Sequence, residues 1–204
     1  MAVMAFDPHM EKHILAERAG TDGDQYDEVW EGVYVVTPLP TNDHQELVGE
    51  FVDILREVIR RPGAGQVFPG VNLSDRREGW KENYREPDVA VFLRGGKAVN
   101  CGTHWCGAAD FLVEIISPGE RTRDKIPFYG SLGVVELLVV DRDPWALELY
   151  RQQDGRLAKA GQSTLAAPEV LASHTVGLTF QSLPGDPRPQ IHVVHAATGR
   201  QWKI

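Results

Sequence analysis

The chain has 204 residues, 42% hydrophobic and 25% charged, with 21 Lys+Arg against 29 Asp+Glu for a net charge of −8. This is the make-up of an ordinary soluble protein long enough to bury a core, and it excludes a chain that coats nucleic acid through a general basic excess. No apolar run approaches the ~20 residues of a membrane span, and the two cysteines, Cys101 and Cys106, make no disulfide framework.

The N-terminal segment interleaves Asp7, Glu11, Lys12 and Glu17 with its apolar residues. It lacks the apolar core of a signal peptide, so a cytoplasmic location is expected. Residues 1–25 read as a short helix followed by the loop TDGDQ. EVWEGVYVVTP, Glu28 to Pro38, reads as a hairpin around Glu31-Gly32. Thr41, Asn42 and Asp43 are candidate N-caps for an amphipathic helix. Its apolar residues Leu47, Val48, Phe51, Ile54, Leu55, Val58 and Ile59 recur at helical spacing, and PGAG stops it.

Next come the strand QVFPGVNL, the polar loop SDRREGWKENYR, the strand PDVAVFL and a loop, GGKAVNCGTHWCGAAD. FLVEIIS is nearly continuous apolar, as a central strand covered on both faces should be. ERTRDKIPFYGSLG reads as a helix. VVELLVVD and ALELYRQ form a strand pair across the DRDPW turn. The last third predicts a helix near Pro168–Ala172, the strand TVGLTF, the bend LPGDPRP and the strand IHVVHA. The order implies a mixed sheet with helices packed on it, in a single domain over 1–204 with a core of about 26–152 and a C-terminal β extension over 153–204.

Two carboxylates stand out. Asp88 follows a proline and opens an apolar strand, and Glu114 interrupts one. Burying an ionised carboxylate without a partner is very costly. Either each has an ion-pair or hydrogen-bond partner, or a cation lies between them. Two carboxylate oxygens, a backbone carbonyl and waters suit magnesium, and a metal so held activates water and stabilises charge on a phosphoryl group. Lys125, eleven residues after Glu114 at the start of the next helix, can return over the strand and stabilise the same charge. CGTHWC offers Cys101, His104 and Cys106 as soft ligands, but no fourth ligand lies nearby and structural zinc takes four.

The ordered pieces EPDVAVF, FLVEIISPG, KIPFYGSLGVVELLVVD and ALELYR, with WEGVYVVTPLPTNDH upstream, resemble the Uma2 family of restriction-endonuclease-type proteins, within the PD-(D/E)XK nuclease superfamily. The likeness runs from about Glu28 to Arg151. It implies a restriction-endonuclease-like α/β fold, a central mixed β-sheet flanked by helices. It implies a magnesium- or manganese-dependent endonuclease that hydrolyses DNA. In that reading Asp88 and Glu114 are metal ligands, Lys125 is the catalytic lysine, and Glu31 and His44 complete the site. The superfamily pattern puts lysine two residues after the glutamate. That position is Ile116 here, and the lysine stands on the following helix, with Asp124 beside it and Arg121 a turn before.

Restriction-type nucleases often pair subunits, so a homodimer is expected. The alternative is a nuclease-fold protein that no longer cuts and serves as a binding or interaction module, a reading to which the net charge of −8 lends weight.

Overall fold

The computed structural model of the chain describes residues 3–5, 7–19, 26–117 and 121–204; the TDGDQ loop lies outside them. The chain starts with strand β1 (Val3–Ala5) and helix α1 (Pro8–Ala19). The hairpin follows as β2 (Glu28–Trp30) and β3 (Val33–Val36). Its two turn residues, Glu31 and Gly32, both have positive φ (51° and 82°), as a two-residue hairpin loop requires. In helix α2 (Asn42–Leu55), the cap Thr41 accepts a hydrogen bond from the His44 N–H at 3.3 Å. The helix buries Leu47, Val48, Phe51, Ile54 and Leu55 on one face and ends in a wider turn, Arg56–Arg60.

After β4 (Gly65–Pro69) the expected polar loop contains two short strands, β5 (Leu73–Ser74) and β6 (Tyr84–Arg85). Beyond β7 (Val89–Leu93), the next expected loop likewise contains β8 (Val99–Asn100) and β9 (Trp105–Cys106). The central strand is β10 (Phe111–Ile116), buried throughout. A 3-10 turn, Thr122–Lys125, leads into helix α3 (Ile126–Leu132), which takes Pro127 in its first turn, where a missing N–H costs nothing. Strands β11 (Glu136–Arg142), β12 (Trp145–Gln153) and β13 (Arg156–Thr164) follow, then β14 (Leu171–Ala172), β15 (Leu178–Leu183), β16 (Gln190–His195) and β17 (Gln201–Lys203).

Two expectations are corrected here. No helix forms near Pro168–Ala172. Leu171 and Ala172 pair instead with Phe180 and Thr179 of β15, which takes up the backbone groups a helix would have used. The C-terminal extension also does not begin at 153, because β13 is the edge strand of the central sheet.

That sheet has the order β13-β12-β11-β10-β7-β4, with β10 and β11 parallel and every other pair antiparallel. One face, carrying Val91, Phe111, Val113 and Leu138, packs on α2 and on the four-stranded sheet β14-β15-β16-β17. Phe180 of that sheet sits between Phe51 of α2 and Phe111 of β10, with ring centroids 6.2 and 6.1 Å away. The other face, carrying Ala90, Phe92, Leu112 and Val139, packs on α3 and on Leu73 and Trp105 of a seven-stranded sheet, β1-β3-β2-β6-β5-β9-β8. This is a restriction-endonuclease-like α/β architecture, a mixed sheet covered on both sides.

Helix α3 lies directly on β13. A Cβ on Gly130 would stand 2.8 Å from the Leu157 amide nitrogen and 2.9 Å from the Arg156 Cα, both backbone positions that cannot swing aside. Gly130→Ala is therefore expected to destabilise the fold by about 1–3 kcal/mol, read as a lowered Tm. An unchanged Tm would mean that α3 lifts off β13 at no cost.

Candidate functional site

Strand register sets the site. β7 and β10 pair Phe111 with Val91, Leu112 with Ala90 and Val113 with Val89. One step further brings Asp88, just before β7, beside Glu114. Side chains alternate across a strand, so both carboxylates belong to the face that α3 covers. The Ile115 N–H donates to Asp88 Oδ2 at 2.6 Å, which ties the aspartate to the glutamate's own peptide.

Lys125 and Tyr129 are four residues apart and share one side of the helical segment. Both reach Glu114. Lys125 Nζ lies 3.0 Å from Glu114 Oε1, and the Tyr129 hydroxyl donates to that oxygen at 2.5 Å. Ile116, the position where the superfamily pattern puts lysine, packs in the apolar cluster under α3, so the 3-10 turn supplies the ammonium instead. Arg121 and Asp124 pair with each other at the surface, Nε to Oδ2 2.6 Å, and leave Lys125 turned inward.

His44, carried by the first turn of α2, approaches from the end of the sheet. Its Nε2 stands 3.2 Å from Asp88 Oδ1. Arg142, at the end of β11, joins the elements around the site: it donates to the Ile116 carbonyl (3.2 Å), to Ser117 Oγ (2.7 Å) and to Thr41 Oγ1 of the α2 cap (3.1 Å).

Glu31 is not brought in. It occupies the hairpin turn itself, so its side chain leaves the sheet, and it lies exposed beside Asp75, Arg76 and Asn83. The glutamate that enters the site is Glu28, on β2 and 2% exposed. Glu28 Oε1 lies 3.0 Å from Lys125 Nζ and accepts from the Glu86 N–H at 2.7 Å, while Oε2 accepts from Trp30 Nε1 at 2.6 Å. Glu86 lines the same cavity and was also missed. Neither stands in an apolar run like the ones that make Asp88 and Glu114 conspicuous, so only the pairing of β2 with β6 reveals them.

Four carboxylates, those of Glu28, Glu86, Asp88 and Glu114, thus line a cavity of about 290 Å³ with a single lysine, Lys125. Burial pushes Glu114 above the ordinary carboxylate range, Lys125 opposes this, and Asp88 and Glu28 add to it. Burial, reinforced by Glu28, pushes Glu86 up to about 7. Burial disfavours the Lys125 ammonium as well, but Glu114, Glu28 and Asp88 outweigh that and hold its pKa above that of an ordinary lysine. The three acids thus favour the charged form of Lys125. Even so, the cavity keeps a surplus of negative charge.

Among the described residues, no three His, Cys, Asp or Glu side chains form a metal shell on their own. Asp88 and Glu114 nevertheless put two hard carboxylates side by side in a cavity where acids outnumber the one lysine. This donor set fits a magnesium- or manganese-type ion, which keeps several waters and takes few protein ligands.

The family model described as "Putative restriction endonuclease", Uma2, matches residues 15–184. The chain belongs to that family, and so to the nuclease class. A solved structure described as "a putative nuclease belonging to DUF820" from Anabaena variabilis ATCC 29413 shares the fold. It aligns with a TM-score of 0.53 at 21% identity, covering 65% of this chain and 75% of that one. No curated protein matches the chain. No helix among the described residues is long and apolar enough to cross a membrane.

Proposed function

We propose that the protein is a metal-dependent endonuclease that hydrolyses DNA phosphodiester bonds in the cytoplasm, with Asp88 and Glu114 as the ligands of a magnesium or manganese ion. Family membership supports the nuclease reading. The observation that carries the site is the coupling of Asp88 to the Glu114 peptide at 2.6 Å, inside a cavity whose acids outnumber its one lysine. When bound, the ion supplies charge stabilisation at the phosphoryl group being cut.

The chain's own residues do the rest. Lys125 stays charged between Glu114 and Glu28 and donates hydrogen bonds to the attacking water or to the phosphoryl oxygens. Tyr129 fixes the rotamer of Glu114, and His44 that of Asp88. Glu28, in the part that the sequence assigned to Glu31, holds Lys125 together with Glu114. A homodimer would present two such sites to the two strands of a duplex; sedimentation of a monomer at working concentration would remove that element of the proposal.

Calorimetric titration with manganese tests the site. Wild type is expected to bind, and Glu114→Gln to bind below detection and to cut no DNA. If wild type binds no manganese, with or without DNA present, the reading fails and the non-cutting interaction module takes its place.

A further inference from the structure

A second cavity, of about 310 Å³, lies at the other end of the central sheet. Asp88 stands just before the first residue of β7 and Arg94 just after the last, about 20 Å apart at the strand rise of ~3.3 Å per residue. Arg60, at the end of the wider turn after α2, lines this cavity with Arg94, Trp105 and Asp110. The Arg94 guanidinium lies against the turn that Arg60 begins. The Gly63 N–H donates to the Arg60 carbonyl at 3.0 Å, and a Cβ on Gly63 would stand 3.4 Å from Arg94 Nη2.

Its charge is the reverse of the first cavity's. Acids outnumber bases 29 to 21 in this chain, yet among the described residues neither Arg60 nor Arg94 has a carboxylate within ion-pair distance. The one carboxylate in the cavity is Asp110, whose Oδ2 already accepts from the Leu93 N–H at 2.7 Å. Trp105 is 7% exposed, with its ring stacked on Phe92 at 3.8 Å, and its indole N–H has no acceptor among the described residues. Unlike the Trp145 N–H, it is not sealed from solvent, so an acceptor entering the cavity can reach it.

We propose that this cavity binds a phosphate ester, held by Arg60, Arg94 and the Trp105 N–H. Guanidinium groups match phosphate oxygens with paired N–H donors and stay charged. Donors from three separate elements suit a tetrahedral group, whose oxygens point in several directions, better than a planar carboxylate. The volume leaves room for a sugar beside the phosphate, so a small nucleotide fits, and so does one backbone phosphate of DNA. At about 20 Å from Asp88, the phosphate held here is not one being cut at Glu114. The site does not depend on the nuclease reading.

Calorimetric titration of the metal-free protein tests this, with thymidine 5′-monophosphate in one arm and a short DNA duplex in the other. Both arginines are exposed, so replacing them leaves the fold intact. Arg60→Met and Arg94→Met are each expected to weaken binding about tenfold, the loss of a hydrogen bond to a charged group. Trp105→Phe, which keeps the stack on Phe92, should weaken it less, and Glu114→Gln should leave the nucleotide's affinity unchanged. Loss in the nucleotide arm makes the ligand a free phosphate ester, and loss in the duplex arm alone makes it the DNA backbone. Succinate bound as tightly as the nucleotide, arginine variants that bind both probes as wild type does, or a wild type that binds neither would overturn the inference. Manganese binding at Glu114 decides the nuclease reading separately.

Discussion

Lys125→Met is expected to lower both the stability of the metal-free protein and its rate of DNA cleavage, for one electrostatic reason. Lys125 bridges Glu114 and Glu28, each about 3.0 Å from its ammonium. Methionine fills a similar space but leaves the carboxylates facing one another without a counter-charge. Removing one partner from a buried ion pair costs about 3–5 kcal/mol, or roughly 6–20 °C in Tm for a chain of this length. The catalytic cost is the loss of one preorganised donor, about 10²–10³-fold in kcat.

The two effects part when metal is added. A divalent cation supplies the missing charge, so manganese should raise the Tm of Lys125→Met by more than it raises that of wild type, while kcat stays low. If manganese stabilises the two proteins equally, the acids are not short of charge and the cavity has no electrostatic call for an ion.

The second large effect lies away from the cavity. Glu136, at the start of β11 and 2% exposed, reaches across to the loop between β14 and β15. Its Oε1 accepts from Arg151 Nε at 2.8 Å, and its Oε2 accepts from Ser173 Oγ at 2.5 Å and the Thr175 N–H at 3.1 Å. Glu136→Ala strands these donors, with the His174 N–H that also reaches Oε1 at 3.4 Å, and is expected to cost about 3 kcal/mol. Although burial pushes the Glu136 carboxyl up, the bonds from Ser173, Arg151 and Thr175 outweigh it and hold its pKa below the ordinary value.

The folded pKa thus lies below the unfolded one. Glu136 stabilises fully above the unfolded carboxylate range, and that contribution disappears as pH falls through the folded value. Urea titrations of wild type and Glu136→Gln should therefore converge as the buffer is acidified. A gap that stays constant with pH would mean that the carboxylate's charge is irrelevant.

The same experiment tests the domain reading. We propose that residues 1–204 unfold as one unit, because Phe180, Ile191 and Val193 of the C-terminal sheet share a core with α2 and the central strands. Trp202 on β17 packs against that core, so its fluorescence should change together with the far-ultraviolet signal of the helices. Two separate transitions would make the C-terminal sheet an independent unit.

The central parts of this molecule were legible because their signals are strong. VAVFL and FLVEII are apolar enough to mark strands, and a carboxylate at the start of one or inside the other is conspicuous. The spacing from Glu114 to Lys125 also anticipated that the lysine returns to the glutamate. His44 was legible as part of a helix start. Elsewhere the code is non-local. Glu28 is buried only because β2 pairs with β6 and Lys125 arrives from another element; beside the obvious turn at Glu31-Gly32 it looked like an ordinary polar residue.

The two-residue strands β5, β6, β8 and β9 exist through tertiary pairing, with no pattern of their own. β13 faces solvent over much of its length and buries only Leu157 and Ser163, too few apolar residues to read as a core strand. Near Pro168 local propensity was outweighed by the pairing partner that β15 offers.

Arg142 affects the thermodynamics of whatever enters the cavity. One guanidinium clasps the end of β10 and the cap of α2, so the two walls that carry Glu114 and His44 are fixed relative to each other when the chain folds. A ligand arriving between them has few rotors left to freeze and forfeits little of its binding energy to ordering. Loosening that clasp, as in Arg142→Ala, would therefore appear first as a more unfavourable binding entropy, with the ligand's own contacts unchanged.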